Sequence, residues 1–161
     1  MRLRMVLVSV VVASLLLLAA GCQQTKVSFP LNEGWTKASK SEIKHAALDM
    51  YVLEYAKHFN GSQLAVLYKG ILEKHFENDF ANKLGTLGMS FGARVNTVSE
   101  PIWINVGNKR VMFATAERPK KYYFYAFFAH DKMYVLVGIT EPHNALWLKR
   151  EMESMLERFN P

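Results

Sequence analysis

The run Tyr122-Tyr123-Phe124-Tyr125-Ala126-Phe127-Phe128-Ala129 constrains the fold more than any other part of the chain. Both of its alternate faces are apolar, and the same holds for Met133-Tyr134-Val135-Leu136-Val137. Successive strand residues point to opposite faces. A strand of this composition therefore needs cover on both sides. Only a tight turn at Asp131-Lys132 separates the two runs, and so short a connection joins antiparallel strands. The expected fold class is α+β: an antiparallel sheet covered by helices on both faces, a three-layer α/β/α sandwich.

Two segments carry the periodicity of covering helices. Leu72, Phe76, Phe80, Leu84, Leu87 and Phe91 recur at spacings of three and four, with Gly85 and Gly88 weakening the C-terminal end. From Ala145 to Phe159, the residues Leu148, Met152, Met155, Leu156 and Phe159 form a second apolar stripe. Strands are expected elsewhere. Lys26–Pro30 reads as a first strand ended by proline, and Asn32–Trp35 as a turn. Ser39-Lys40-Ser41-Glu42 matches a capping box opening a short helix. Met50–Ala56 and Gln63–Tyr68 flank Asn60-Gly61, a strong hairpin signal. Val95–Val106 reads as strand with a break near Pro101, and Arg110–Glu117 as its partner across Gly107-Asn108. Arg118-Pro119-Lys120-Lys121 is a turn.

The N-terminus speaks to location. Arg2 and Arg4 precede an uncharged apolar run from Met5 to Ala20, which closes on Ala19-Ala20-Gly21-Cys22. Basic, then apolar, then small is the order of a secretory signal peptide. The run is shorter than the roughly 20 residues of a membrane-spanning helix. Cys22 is the single cysteine, so no intramolecular disulfide can form. Leu18-Ala19-Ala20-Gly21-Cys22 resembles the lipobox of bacterial lipoproteins, although Ala19 stands where Leu is commonest. The resemblance implies cleavage between Gly21 and Cys22, diacylglycerol on the Cys22 sulfur and acylation of the new amine. Two chains anchor stably where one does not. The expected division is a leader over 1–21, a lipidated tether over 22–26 and a single domain over 27–161. Gln23 in place of Asp favours the outer membrane, facing the periplasm, in a Gram-negative host.

Loss of Arg2 and Arg4 with the leader would take the formal charge from +6 to +4. That is modestly basic, compatible with an anionic membrane surface and far from a nucleic-acid signature.

The order of elements resembles the PsbP-like fold and, within it, the DcrB-like bacterial lipoproteins. The residues that carry the likeness are Val27-Ser28-Phe29-Pro30 with Gly34-Trp35, the hairpin across Asn60-Gly61 followed by a helix, and Asp131-Lys132-Met133-Tyr134-Val135-Leu136 ahead of a last helix with Trp147 and Met155-Leu156-Glu157-Arg158-Phe159. These motifs are structural. The resemblance implies a binding or accessory module and carries over no active-site residue.

No constellation in the chain points to catalysis, a cofactor or a metal. His45, His58, His75, His130 and His143 show no i, i+3 or i+4 spacing, and the bland reading places them on the surface or at loop ends. Glu73, Glu77 and Asp79 share a helix with Lys74 and Lys83, as on a solvated face. No serine has a nucleophile-elbow context, and Gly85-x-x-Gly88-x-x-x-Gly92 lacks the ending of a phosphate loop. Lys109-Arg110 and Arg118–Lys121 bracket one strand and could form a basic patch toward lipid; charged hairpin turns are the simpler reading. The aromatics from Tyr122 to Phe128 read as core. The expected function is a non-catalytic, lipid-anchored envelope protein that binds another protein. The alternative is a carrier or sensor of a small apolar ligand or lipid.

Overall fold

A computed structural model describes residues 27–39 and 49–161. The expected leader over 1–21, Cys22 with its expected tether, and the helix expected after Ser39 fall outside the described residues. The fold is α+β. One seven-stranded antiparallel sheet runs in the order β1-β2-β3-β7-β6-β5-β4. Its strands are β1 Trp35–Lys37, β2 Tyr51–His58, β3 Gln63–Gly70, β4 Ile102–Val106, β5 Lys109–Glu117, β6 Lys121–Ala129 and β7 Lys132–Thr140. Among the described residues there are two α-helices, α1 Phe76–Ser90 and α2 Ala145–Arg158. Neither is long and apolar enough to cross a membrane.

The doubly apolar strands, β6 and β7, lie side by side near the middle of the sheet, as their composition requires. The strands at the two edges, β1 and β4, are the shortest, which limits the unpaired backbone offered to other chains. Phe124 and Tyr125 are adjacent and both fully buried. Phe124 shares a cluster with Phe76, Phe80, Leu84 and Leu87 of α1. Tyr125 shares another with Leu148, Met152, Met155 and Leu156 of α2.

Gly138 of β7 faces α2 at very short range. A Cβ built there would fall inside Met152 Sδ and 3.2 Å from Leu148 Cδ2. Gly88 does not end α1; it lets the helix approach Val98, whose Cγ2 would lie 3.1 Å from an added Cβ.

Several local expectations are corrected. Residues 27–30 form no strand. Phe29 is buried instead, with its ring 5.0 Å from that of Phe159 just beyond α2, and burial of one large ring, not a ladder, holds the segment. Trp35, expected in a turn, opens β1. Leu72 is exposed and lies ahead of a 3-10 turn at Glu73–His75, so the helix begins a turn later than its stripe suggested. Val95–Thr97 is also 3-10. Strand β4 starts only after Pro101, which cannot donate to a ladder. The hairpin turn between β6 and β7 centres on His130-Asp131, whose φ values of 49° and 56° suit a two-residue turn of left-handed residues.

Candidate docking site

Four structural features meet at one end of the sheet. The β2–β3 turn is the first. Gly61 has φ +85°, and Asn60 Oδ1 accepts the Ser62 backbone N–H at 2.9 Å. The buried Ser62 and Thr140 hydroxyls are 2.7 Å apart and tie this turn to the last residue of β7. Phe59 projects from the turn at 88% exposure.

The second feature is an aromatic stack beside it. Trp35 and Trp147 are nearly parallel, with centroids 6.1 Å apart. The buried ring of His58 lies 5.4 Å from Trp35, 4.5 Å from Trp147 and 4.1 Å from Phe59. Gly34 makes this approach possible: at φ +86° its missing Cβ would meet His58 Nε2 at 2.6 Å. Trp35 Nε1 and Asn32 Nδ2 both donate to Glu151 Oε2, at 3.3 and 2.9 Å, fixing β1 to α2.

Third is the start of α2, preceded by a 3-10 turn at Pro142–Asn144. Leu146 in its first turn is 61% exposed. Fourth is a cleft of about 350 Å³, lined by Arg118, Pro119, Lys120, Lys121, Pro142 and Ala145, with Glu117 at its edge. Lys120 Nζ is 3.1 Å from Glu141 Oε1, and Lys121 Nζ is 2.7 Å from Glu117 Oε1. Lys121, by hydrogen bond and charge, holds the Glu117 carboxyl below its usual range, and Arg118 adds to this. Arg118 itself sits at φ 62°, an uncommon conformation for a bulky residue. Its carbonyl accepts the Arg94 N–H at 3.2 Å. Its guanidinium makes no ion pair with any of the described residues.

The two basic groups considered as one patch are separated. They lie at opposite ends of β5, about 27 Å apart at 3.4 Å per residue. At the far end Lys109 Nζ donates to the Glu157 carbonyl at 2.7 Å, and Arg110 lies 4.5 Å over the Trp103 ring. Phe29 packs at this same far end of α2 against Phe159. The chain segment that follows the expected lipid attachment therefore meets the domain opposite the aromatic stack.

Of the other sequence candidates, Glu77, Asp79 and Lys83 have structural partners. Glu73 and Glu77 are exposed, and Glu77 Oε1 accepts from Trp103 Nε1 at 3.4 Å. Asp79 departs from a purely solvated face. Its Oδ2 is buried without a hydrogen bond of good geometry, yet lies 3.3 Å from Lys69 Nζ, within ion-pair range. Asp49 accepts from Lys83 and Lys69 at 2.7 and 2.9 Å, and these two bonds lower its pKa to about 2. Burial opposes the Lys69 charge, but Asp49 and Asp79 outweigh it and raise the lysine pKa.

His75, His130 and His143 are exposed, as expected of loop ends, and His45 falls outside the described residues. His58 is the exception, drawn inward by the aromatic stack. No three His, Cys, Asp or Glu side chains among the described residues come together as metal ligands. Tyr122 to Phe127 are buried. The Tyr125 hydroxyl donates to Glu153 Oε1 at 3.0 Å, and burial with the neighbouring carboxylate pushes its pKa up.

His58 and Trp147 are too far apart in the chain for any local pattern to link them. The available hints were two tryptophans without a place in either helix stripe and a glycine before the first of them. No protein-family model matches this chain, and no curated protein matches it either.

Proposed function

We propose that this protein is a lipid-anchored cell-envelope lipoprotein that docks another envelope protein and performs no chemistry of its own. The observation that carries the reading is the exposure of Phe59 and Leu146 beside the Trp35–His58–Trp147 stack. Aromatic groups are enriched among the anchors of protein interfaces, and an exposed aliphatic neighbour adds apolar contact. Their position opposite Phe29 supports the reading further. A tether of five residues, Cys22 to Lys26, spans at most about 18 Å. It would hold the Phe29 end near the bilayer and leave the aromatic end facing the periplasm. Gln23 favours the outer membrane as the site of anchoring.

The proposed architecture is the three-layer α/β/α sandwich, with a likeness to DcrB-like proteins of the PsbP-like fold. Its support is the membership of Phe124 and Tyr125 in separate clusters, one with α1 and one with α2. The alternative, a carrier of a small apolar ligand, gains less support, because the aromatics that suggested it are consumed in core packing. Fractionation of host cells tests the function. The wild-type protein is expected in the outer membrane, and Cys22→Ser is expected to leave a larger, unlipidated precursor. Normal-sized, membrane-bound protein from Cys22→Ser would overturn the anchor. Quantitative recovery of the wild type in the inner membrane would overturn the sorting.

A further inference from the structure

We propose that the end of the sheet around the first turn of α2 receives an acidic segment of the partner protein, with a carboxylate in the cleft at Arg118 and an apolar side chain on Phe59 and Leu146. This deepens the docking reading above and rests on it. Three consecutive residues of α2 join the two halves of the surface. Ala145 lines the cleft, Leu146 is exposed, and Trp147 belongs to the aromatic stack. Successive helix residues turn by about 100°, so the two halves lie on different sides of the first turn, about one helix diameter or 10–12 Å apart, which one short extended segment spans.

Charge selects the partner's chemistry. Glu141 and Glu117 are each matched by one lysine, at 3.1 and 2.7 Å. Arg118 is the cation left over among the described residues that line the cleft. A planar guanidinium takes a carboxylate through two parallel hydrogen bonds. The walls at Pro119, Pro142 and Ala145 are apolar, while Arg118 itself is exposed and can meet an incoming carboxylate. The start of a fourteen-residue helix adds a favourable field for an anion at the same place. Arg118 has a left-handed backbone conformation, and its carbonyl accepts the Arg94 N–H, which ties this turn to the segment after α1.

Geometry argues against a lipid headgroup as the occupant. The cleft stands at the Glu117 end of β5, while Phe29 packs by α2's last turn, at the Lys109 end. A tether of at most about 18 Å brings that far end to the membrane and leaves the cleft across the domain from it.

The test is photo-cross-linking of the full, membrane-anchored chain in its own host. A benzophenone amino acid is placed at Phe59, Leu146 or Lys120, with exposed Asp131 at the opposite end as a control. The expected result is adducts with one protein from the first three positions and none from Asp131. Mass spectrometry is expected to map them to a segment that carries Asp or Glu beside an apolar residue. Arg118→Glu is expected to lower the adduct yield by about fivefold, the scale of one partly exposed ion pair. Arg118→Lys, which keeps the charge and loses the two-point geometry, is expected to give a yield between wild type and Arg118→Glu and controls for folding.

Adducts whose segment lacks an acid, or an undiminished yield from Arg118→Glu, overturn the acidic partner and leave protein docking standing. Adducts with lipid alone, with a second copy of this chain alone, or with nothing while the protein fractionates with membranes, overturn docking itself.

Discussion

Gly138→Ala tests how closely α2 lies against the sheet. The residue is in the middle strand pair, and its φ is not in the left-handed region, so alanine fits the backbone. The conflict is with side chains. The new methyl would overlap Met152 Sδ and sit 2.9 Å from Met152 Cε and 3.2 Å from Leu148 Cδ2. Both residues are fully buried, so neither can swing out to solvent.

Forcing a methylene-sized group into a packed core costs about 1–3 kcal/mol. The loss of unfolded-state freedom on replacing glycine returns about 0.4–1 kcal/mol. The net expectation is a destabilisation of about 1–2 kcal/mol, near 3–8 °C in Tm for a domain of this size. The assay is urea unfolding of residues 23–161, paired with Met152→Ala in a double-mutant cycle. Met152→Ala alone leaves a cavity and costs about 2–5 kcal/mol. In the double mutant the alanine methyl occupies part of that space, so the combined loss is smaller than the sum by at least about 0.5 kcal/mol. A neutral Gly138→Ala, or strict additivity with Met152→Ala, would refute the close approach of α2 to β7.

Other outcomes follow from the same packing. Phe124→Ala and Tyr125→Ala are each expected to cost about 3–5 kcal/mol by denaturant unfolding, and near-neutrality of either would open one face of the sheet and end the three-layer reading. Gly34→Ala is expected to disturb the Trp35–His58 contact both by its left-handed φ and by collision with His58 Nε2, seen as a change in tryptophan fluorescence; an unchanged spectrum would detach Gly34 from the stack. Asp49 is held at about pH 2 by Lys83 and Lys69, below its unfolded value near 3.8. A depressed carboxylate pKa stabilises above the unfolded value and loses that contribution as pH falls through the folded one. Asp49→Asn is therefore expected to flatten the stability profile between about pH 4 and 2; because Asp49 is exposed, the effect at neutral pH is within about 1 kcal/mol. A slope unchanged by the substitution would remove Asp49 from the network.

The parts of the fold written in continuous or periodic apolar residues were legible. Tyr122–Ala129 and Met133–Val137 announced the central antiparallel pair, and Asn60-Gly61 announced the β2–β3 hairpin. Leu148, Met152, Met155 and Leu156 announced the buried side of α2. What failed to show was decided by contacts across the chain. Phe29 looks like a strand residue, yet it is a plug for the end of α2. Val95–Thr97 is β-branched enough to suggest a strand, but Thr97 Oγ1 donates to the Glu117 carbonyl, and Ser99 pairs with Thr115. Side-chain and loop bonds replace a ladder there. The docking surface was the least legible. It joins His58, Trp147 and Arg118 from distant segments, and none of them stands in a local motif. Arg118 and Lys109 looked equivalent as charged turn residues until the strand between them carried one to each end of the domain.

Intact mass and N-terminal fragmentation of the protein extracted from host membranes test the lipid-anchored reading most directly. The expected chain begins at Cys22 and bears at least two acyl chains, the number that stable anchoring takes. A chain that keeps residues 1–21, begins at another residue, or carries an unmodified Cys22 would contradict it.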